Sequence, residues 1–197
     1  RPAETGHKSQ RVAQGGQPHS ITAGATVTEG TTLYYSTVDP ESEEFEDSNW
    51  STTAPTWTNV TAAQTVYVKA ENSNYETAYA SATVTITKKD VTITVANDDK
   101  TYGENDPEFE DAEISAYIGE ELDGIDLSVS RTNEDEDVNV YTDVLTIGQT
   151  AAQLDAAYTN YSFTVNNGDF EIKAASADDL GLTATPYNNV YDGQPHS

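Results

Sequence analysis

Apolar and polar residues alternate with a period of two along much of this chain. Leu33 and Tyr35 fall on one face of residues 31–36 and Tyr34 on the other. Val66 and Val68 oppose Tyr67 and Lys69 across residues 65–70, and Val84 and Ile86 oppose Thr83, Thr85 and Thr87 across residues 82–87. This is the period of a strand with one buried face. Lys88-Lys89-Asp90 reads as a short charged hinge, after which Val91, Ile93 and Val95 restart the alternation and Asn97-Asp98-Asp99-Lys100 reads as a turn. Further strands are predicted at 127–130, 138–147, 161–165 and 170–172. Helical spacing is confined to two places. Ile118, Leu122 and Ile125 show it within 115–127, where Gly119 and Gly124 limit a helix to a turn or two. Residues 151–157 predict a short helix in a connection. Many short strands at close spacing predict a β-sandwich architecture.

The pattern also repeats. Gly16-Gln17-Pro18-His19-Ser20 returns as Gly193-Gln194-Pro195-His196-Ser197, and Asn74-Tyr75 with Ile86 returns as Asn160-Tyr161 with Ile172. Such self-similarity predicts an array of small units rather than one large core. The chain therefore divides into a leader or linker at 1–12, a β module at 13–88, a second at 89–174, and the start of a third repeat at 175–197. Modules of this size bury enough surface to fold alone. The strand expected around 187–191 would be a lone edge, so the tail is expected to be pinned on the second module or on a neighbouring molecule. The predicted fold class is mainly β, as two tandem small β modules, the second with short helical turns.

Charge narrows the partners. The formal net charge is −25, from 34 acidic and 9 basic side chains. Such a surface repels nucleic-acid phosphate and anionic lipid, so nucleic acid is not an expected partner. No apolar run approaches the roughly 20 residues that span a bilayer, and membrane insertion is not expected. No signal-peptide core is visible, and export and anchoring signals are expected to lie elsewhere. With no cysteine and no methionine, disulfides and thiolate chemistry are excluded.

Acidic oxygens are calcium ligands, and Asp98, Asp99, Asp106 and Glu108 gather around the Tyr102-Gly103 turn as the candidate metal residues. Glu134-Asp135-Glu136-Asp137 is a second cluster, and neither has the spacing of a helix–loop–helix calcium loop. A solvated anionic surface is the plainer reading of this acidity, so no cofactor is expected and calcium is the one candidate ion. Trp50, Trp57 and Tyr34 are the candidate ligand-binding residues, because flat apolar rings stack on sugars, although aromatics of a small β module more often fill its core. His7, His19 and His196 lack the surroundings of a catalytic triad, since Ser20 and Ser197 only follow a histidine in sequence. The chain is read as a non-enzyme. A stalk without disulfides invites a lysine–asparagine crosslink, for which Lys69, Lys88, Lys89, Lys100 and Lys173 are the lysines in or near strands.

Three stretches resemble known tandem repeats. Lys100-Thr101-Tyr102-Gly103-Glu104-Asn105-Asp106-Pro107-Glu108-Phe109, with Gly119-Glu120-Glu121-Leu122, Arg131, Asn160-Tyr161 and Phe170-Glu171-Ile172, resembles the MBG domain of the YGX type. Val190-Tyr191-Asp192-Gly193 resembles the opening of a YDG-type repeat. Leu33-Tyr34-Tyr35-Ser36, Trp50-Ser51, Pro55-Thr56 and Val66-Tyr67-Val68-Lys69-Ala70 resemble a bacterial immunoglobulin-like repeat, which implies a β-sandwich for the first module. The resemblance implies an extracellular, adhesin-like protein of the bacterial surface or cell wall, serving as stalk, spacer or adhesive module and flanked by neighbouring repeats. Host or environmental glycan, mucin or protein is the implied partner. The alternatives are a carbohydrate- or mucin-binding module and an ancillary domain of a secreted carbohydrate-active enzyme. No binding residue is carried over from the family.

Overall fold

The alternating segments become strands in the computed structural model, which describes residues 10–13, 15–21, 27–115, 117–184, 186, 188, 190, 191 and 193. In the first half β1 (Gln10–Ala13), β2 (Thr32–Ser36), β3 (Thr61–Glu71) and β4 (Ala78–Thr87) form one sheet in the order β1-β4-β3-β2. Val66, Val84 and Ile86 bury one face of it together with Ile21, and Tyr35, Trp57, Val68 and Ala82 pack around them. A loop layer closes this core. The His19 N–H donates to the Trp57 carbonyl at 2.8 Å and the Trp57 N–H to the His19 carbonyl at 2.9 Å. Among the described residues that bridge stands where a sandwich would set a second sheet, because the acidic and Ser/Thr/Pro-rich residues between β2 and β3 lack the alternation a strand needs.

The lead segment corrects one expectation. Gln10–Ala13 falls mostly within the stretch read as leader or linker, yet it pairs in parallel with the last four residues of β4. Arg1 to Ser9 and the second Gln-Pro-His-Ser copy lie outside the described residues.

The second half holds β5 (Lys89–Thr94), β6 (Asp98–Thr101), β7 (Glu113–Ile114), β8 (Ser130–Arg131), β9 (Asn139–Thr146), α1 (Ala151–Ala157), β10 (Tyr161–Asn166) and β11 (Gly168–Lys173). They make two sheets, β10-β5-β7 and β6-β11-β9-β8. Two chain segments run through both. Tyr161 lies opposite Lys89 in the first sheet and Phe170 opposite Asp98 in the second, so one parallel register continues across the corner. The Val95 N–H donates to the Asn166 carbonyl at 2.9 Å and the Asp169 N–H to Asn97 Oδ1 at 2.8 Å, which carries the ladder round the bend. Gly168 makes that corner. A Cβ there would sit 2.3 Å from the Ala96 carbonyl oxygen, so only a residue without a side chain lets the two backbones meet.

Two expectations fail at this corner. Lys89 and Asp90 belong to β5, which leaves Lys88 alone between β4 and β5 in place of a three-residue hinge. Asp98, Asp99 and Lys100 form β6 rather than a turn, because pairing with β11 overrides their local turn preference.

The core between the sheets contains Val91, Ile93, Leu145, Leu154, Tyr161, Phe170 and Ile172. Residues 118–125 give turns, through which Leu122 and Ile125 reach this core, as the two glycines predict. Thr150 caps α1 by accepting from the Gln153 N–H at 3.3 Å, while the Gln153 side chain accepts from the Thr150 N–H at 2.8 Å. The helix buries Leu154. Beyond β11, Leu180, Leu182, Val190 and Tyr191 are exposed, and the tail strand expected around 187–191 lies partly outside the described residues.

Candidate functional site

Three features carry the chemistry: a ring cluster on the first module, a charge cluster on the second, and the joint between the modules.

Antiparallel pairing sets Tyr34, Lys69 and Tyr79 in one row across β2, β3 and β4. The row lies on the face opposite Val66 and Val68, because side chains alternate along a strand. Trp50 joins the row from the loop, since the Ser51 and Tyr35 backbones bridge at the sheet edge. Lys69 Nζ lies 4.7 Å from the Tyr34 ring centroid and 5.1 Å from that of Trp50, and it pairs with Glu71 at 3.0 Å. Phe45 meets Trp50 edge-on at 5.4 Å, and Tyr79 tilts against it at 6.3 Å. Trp50 and Tyr34 therefore come together, half-buried around a cation. Trp57 is elsewhere, packed against the Ile21 and Val66 core.

On the second module, alternation along β6 turns Lys100 inward, where it is buried. Its ammonium donates to Asp106 Oδ1 at 2.7 Å and to Glu136. Arg131 completes a square of alternating charge, with Nε 3.0 Å from Asp106 Oδ2, a second contact to Glu136, and its guanidinium 4.9 Å from the Phe170 ring centroid. The Asp106 carboxylate and then that of Glu136 hold the Lys100 ammonium above its ordinary range. Lys100 and then Arg131 hold the Glu136 carboxyl below its own. Two cations thus neutralise two carboxylates over an aromatic face.

This square absorbs one of the candidate metal ligands, Asp106. Asp99 is taken by Lys173 at 2.8 Å. Asp98 and Glu108 line an open cleft of about 320 Å³ with Asn97, Glu110 and Phe109. Among the described residues no three His, Asp or Glu converge in a way that could hold a metal ion. Among the described residues Lys100 is the buried lysine, and its partners are two carboxylates that Arg131 also contacts, not an asparagine amide. The square itself was missed by the sequence reading. Its signal was an inward-facing lysine on a strand in a chain with few cations, which requires a buried counter-charge.

Of the three histidines, His7 and His196 lie outside the described residues. The His19 backbone bridges Trp57, and Ser20 Oγ donates to the Pro55 carbonyl at 2.7 Å.

The joint is built by the repeated Asn160-Tyr161 pair. Asn160 Oδ1 accepts from the Val60 N–H at 2.9 Å and its Nδ2 donates to Asn59 Oδ1 at 3.0 Å, while its backbone carbonyl accepts from the Lys89 N–H at 3.0 Å. The Tyr161 hydroxyl donates to Glu121 and accepts from the Ile118 N–H at 3.4 Å. Burial first, and then Glu121, pushes its pKa up to about 12. Ile118 in turn abuts Gly16 of the first module, where a Cβ would lie 2.5 Å from Ile118 Cγ2. Two consecutive residues thereby fix both sides of the contact.

No curated protein and no solved structure matches this chain. MBG domains are a repeat family of surface proteins. The family model of the MBG domain (YGX type) matches residues 91–171, so the second module is similar to an MBG domain, and the β module before it is not covered by this match.

Proposed function

We propose that this chain is a non-catalytic segment of an extracellular, adhesin-like bacterial surface protein, in which the two modules act as a stalk or spacer. The joint is the observation that carries this reading. A single linker residue, Lys88, and the Asn160 clamp on Asn59 and Val60 limit the freedom between modules. The other copy of the pair, Asn74-Tyr75, lies at the opposite end of the first module beside the β3–β4 turn, with Tyr75 64% exposed. The acidic surface disfavours lateral self-association and keeps an extended array in solution.

A second reading, a carbohydrate- or mucin-binding module, draws on the Tyr34, Trp50 and Tyr79 rings around Lys69. Against it, the same lysine already lies over the Tyr34 and Trp50 rings. A glycan and mucin binding screen with and without calcium, run beside Trp50→Ala, separates the two. The spacer reading expects no binding in any arm. Binding that Trp50→Ala abolishes would replace it with the lectin-like reading.

A further inference from the structure

Tension applied along a chain is resisted by the hydrogen bonds between the strands through which it enters and leaves a module. In the second module tension enters at Lys89, the first residue of β5, and leaves at Lys173, the last of β11. These belong to the two segments that run parallel through both sheets, paired at six positions in the first and four in the second. Further bonds close each end of the ladder, Lys89 N–H to the Asn160 carbonyl at 3.0 Å and Tyr102 N–H to the Lys173 carbonyl at 2.8 Å. Neither segment is free to peel away. β5 lies between β10 and β7, and β11 lies between β6 and β9.

We infer that the second module is the stronger mechanical unit, held in shear by its own first and last strands, and that the first module yields before it. Parallel strands pulled from opposite ends slide past one another, so their transverse hydrogen bonds must fail together. Pulled from the same end they would fail one after another. The close approach at Gly168 and the Asp99–Lys173 pair oppose sliding as well. In the first module, among the described residues, four pairs of β1 with β4 join its first and last strands, and β1 is an edge strand. The inference deepens the spacer reading and rests on it for its role in the cell, although the mechanical claim is tested separately.

The test is single-molecule force spectroscopy on the full chain, using its freedom from cysteine to place attachments. Handles at Lys88→Cys and Ala174→Cys load the second module in shear. Handles at Lys88→Cys and Thr159→Cys grip the parallel strands at one end and unzip them, because Lys89 lies opposite Tyr161. The shear geometry is expected to need the higher force, because the six and four paired positions share the load instead of opening one at a time. With the whole chain pulled from its termini, the first module is expected to unfold at the lower force. Equal forces in the two geometries, or first failure of the second module, would overturn the inference. Mucin binding in the screen above would remove the spacer reading and leave the force ratio untouched.

Discussion

Asn160 of the second module donates its side-chain amide to Asn59 Oδ1 of the first at 3.0 Å, a contact between residues 101 positions apart that also orients Asn160 Oδ1 toward the Val60 N–H. One side chain supplies both a donor and an acceptor across the joint. Asn160→Ala removes both bonds while leaving the backbone carbonyl that holds Lys89. Its expected cost to either module is about 1 kcal/mol or less, since the freed groups reach water. The expected change is in orientation: residual dipolar couplings that fit one relative alignment in the parent chain should need a spread of alignments in the variant.

Gly168→Ala is expected to be far more costly. Its Cβ would meet the Ala96 carbonyl oxygen at 2.3 Å, and neither backbone can retreat without breaking the parallel register on one side of the corner. Overpacking of this kind costs about 1–3 kcal/mol or more. Calorimetry should show the transition of the second module falling by roughly 10 °C or more, by the usual conversion for a domain of this size. The transition of the first module should stay in place.

The charge square makes stability of the second module depend on pH in two directions. The Glu136 carboxyl is held low, so its contribution is present above the ordinary glutamate range and is lost as pH falls through the depressed value. The Lys100 ammonium is held high, so its contribution is complete below the ordinary lysine range and fades as pH rises through the elevated value. Stability of this module should therefore form a plateau across neutral pH and fall on both flanks. Lys100→Met leaves Asp106 and Glu136 facing Arg131 alone, and should lower the melting temperature of the second module by about 5–10 °C. In the variant, chemical denaturation followed across pH should show a weaker alkaline fall.

Tyr161 gives a further alkaline signature. Its phenol, pushed up to about 12, stays protonated in the folded chain while an unfolded tyrosine ionises near 10. Its stabilisation is full below the lower value and declines as pH climbs toward the upper one. Tyr67, Tyr117 and Tyr141 are also held above the ordinary range, so ultraviolet titration should show a late-ionising group of tyrosines, and Tyr161→Phe should remove one tyrosine from it. The same variant should cost about 1 kcal/mol through the lost bonds to Glu121 and Ile118.

Much of this fold is written locally. Val84 and Ile86 identify β4 because each second residue is apolar, and α1 matches its predicted span because Leu154 has one inward side to fill. What escaped the sequence is long-range. Asp98 to Thr101 carry turn-forming side chains and become a strand only by pairing with residues 72 positions later. Gln10–Ala13 show no alternation and owe their strand to β4. The Lys100–Glu136 contact spans 36 positions, and in so acidic a chain every lysine has many candidate partners. Among the candidate ligand residues, the position of Trp50 depends on the Tyr35–Ser51 bridge and that of Trp57 on the bridge to His19, and neither bridge has a local signal.

In the spacer reading the two modules stand end to end as a single stiff unit, and the distance between their far ends is the decisive quantity. Spin labels at Ser73→Cys, in the β3–β4 turn at the far end of the first module, and at Glu104→Cys, beyond β6 at the far end of the second, bracket the pair. The chain between them has an upper bound of about 100 Å at the rise of an extended chain. Double electron–electron resonance is predicted to give one narrow distribution above about 50 Å, within that extended-chain limit. A short distance, or a broad spread reaching it, would mean that the modules fold back or swing freely, and would contradict the account.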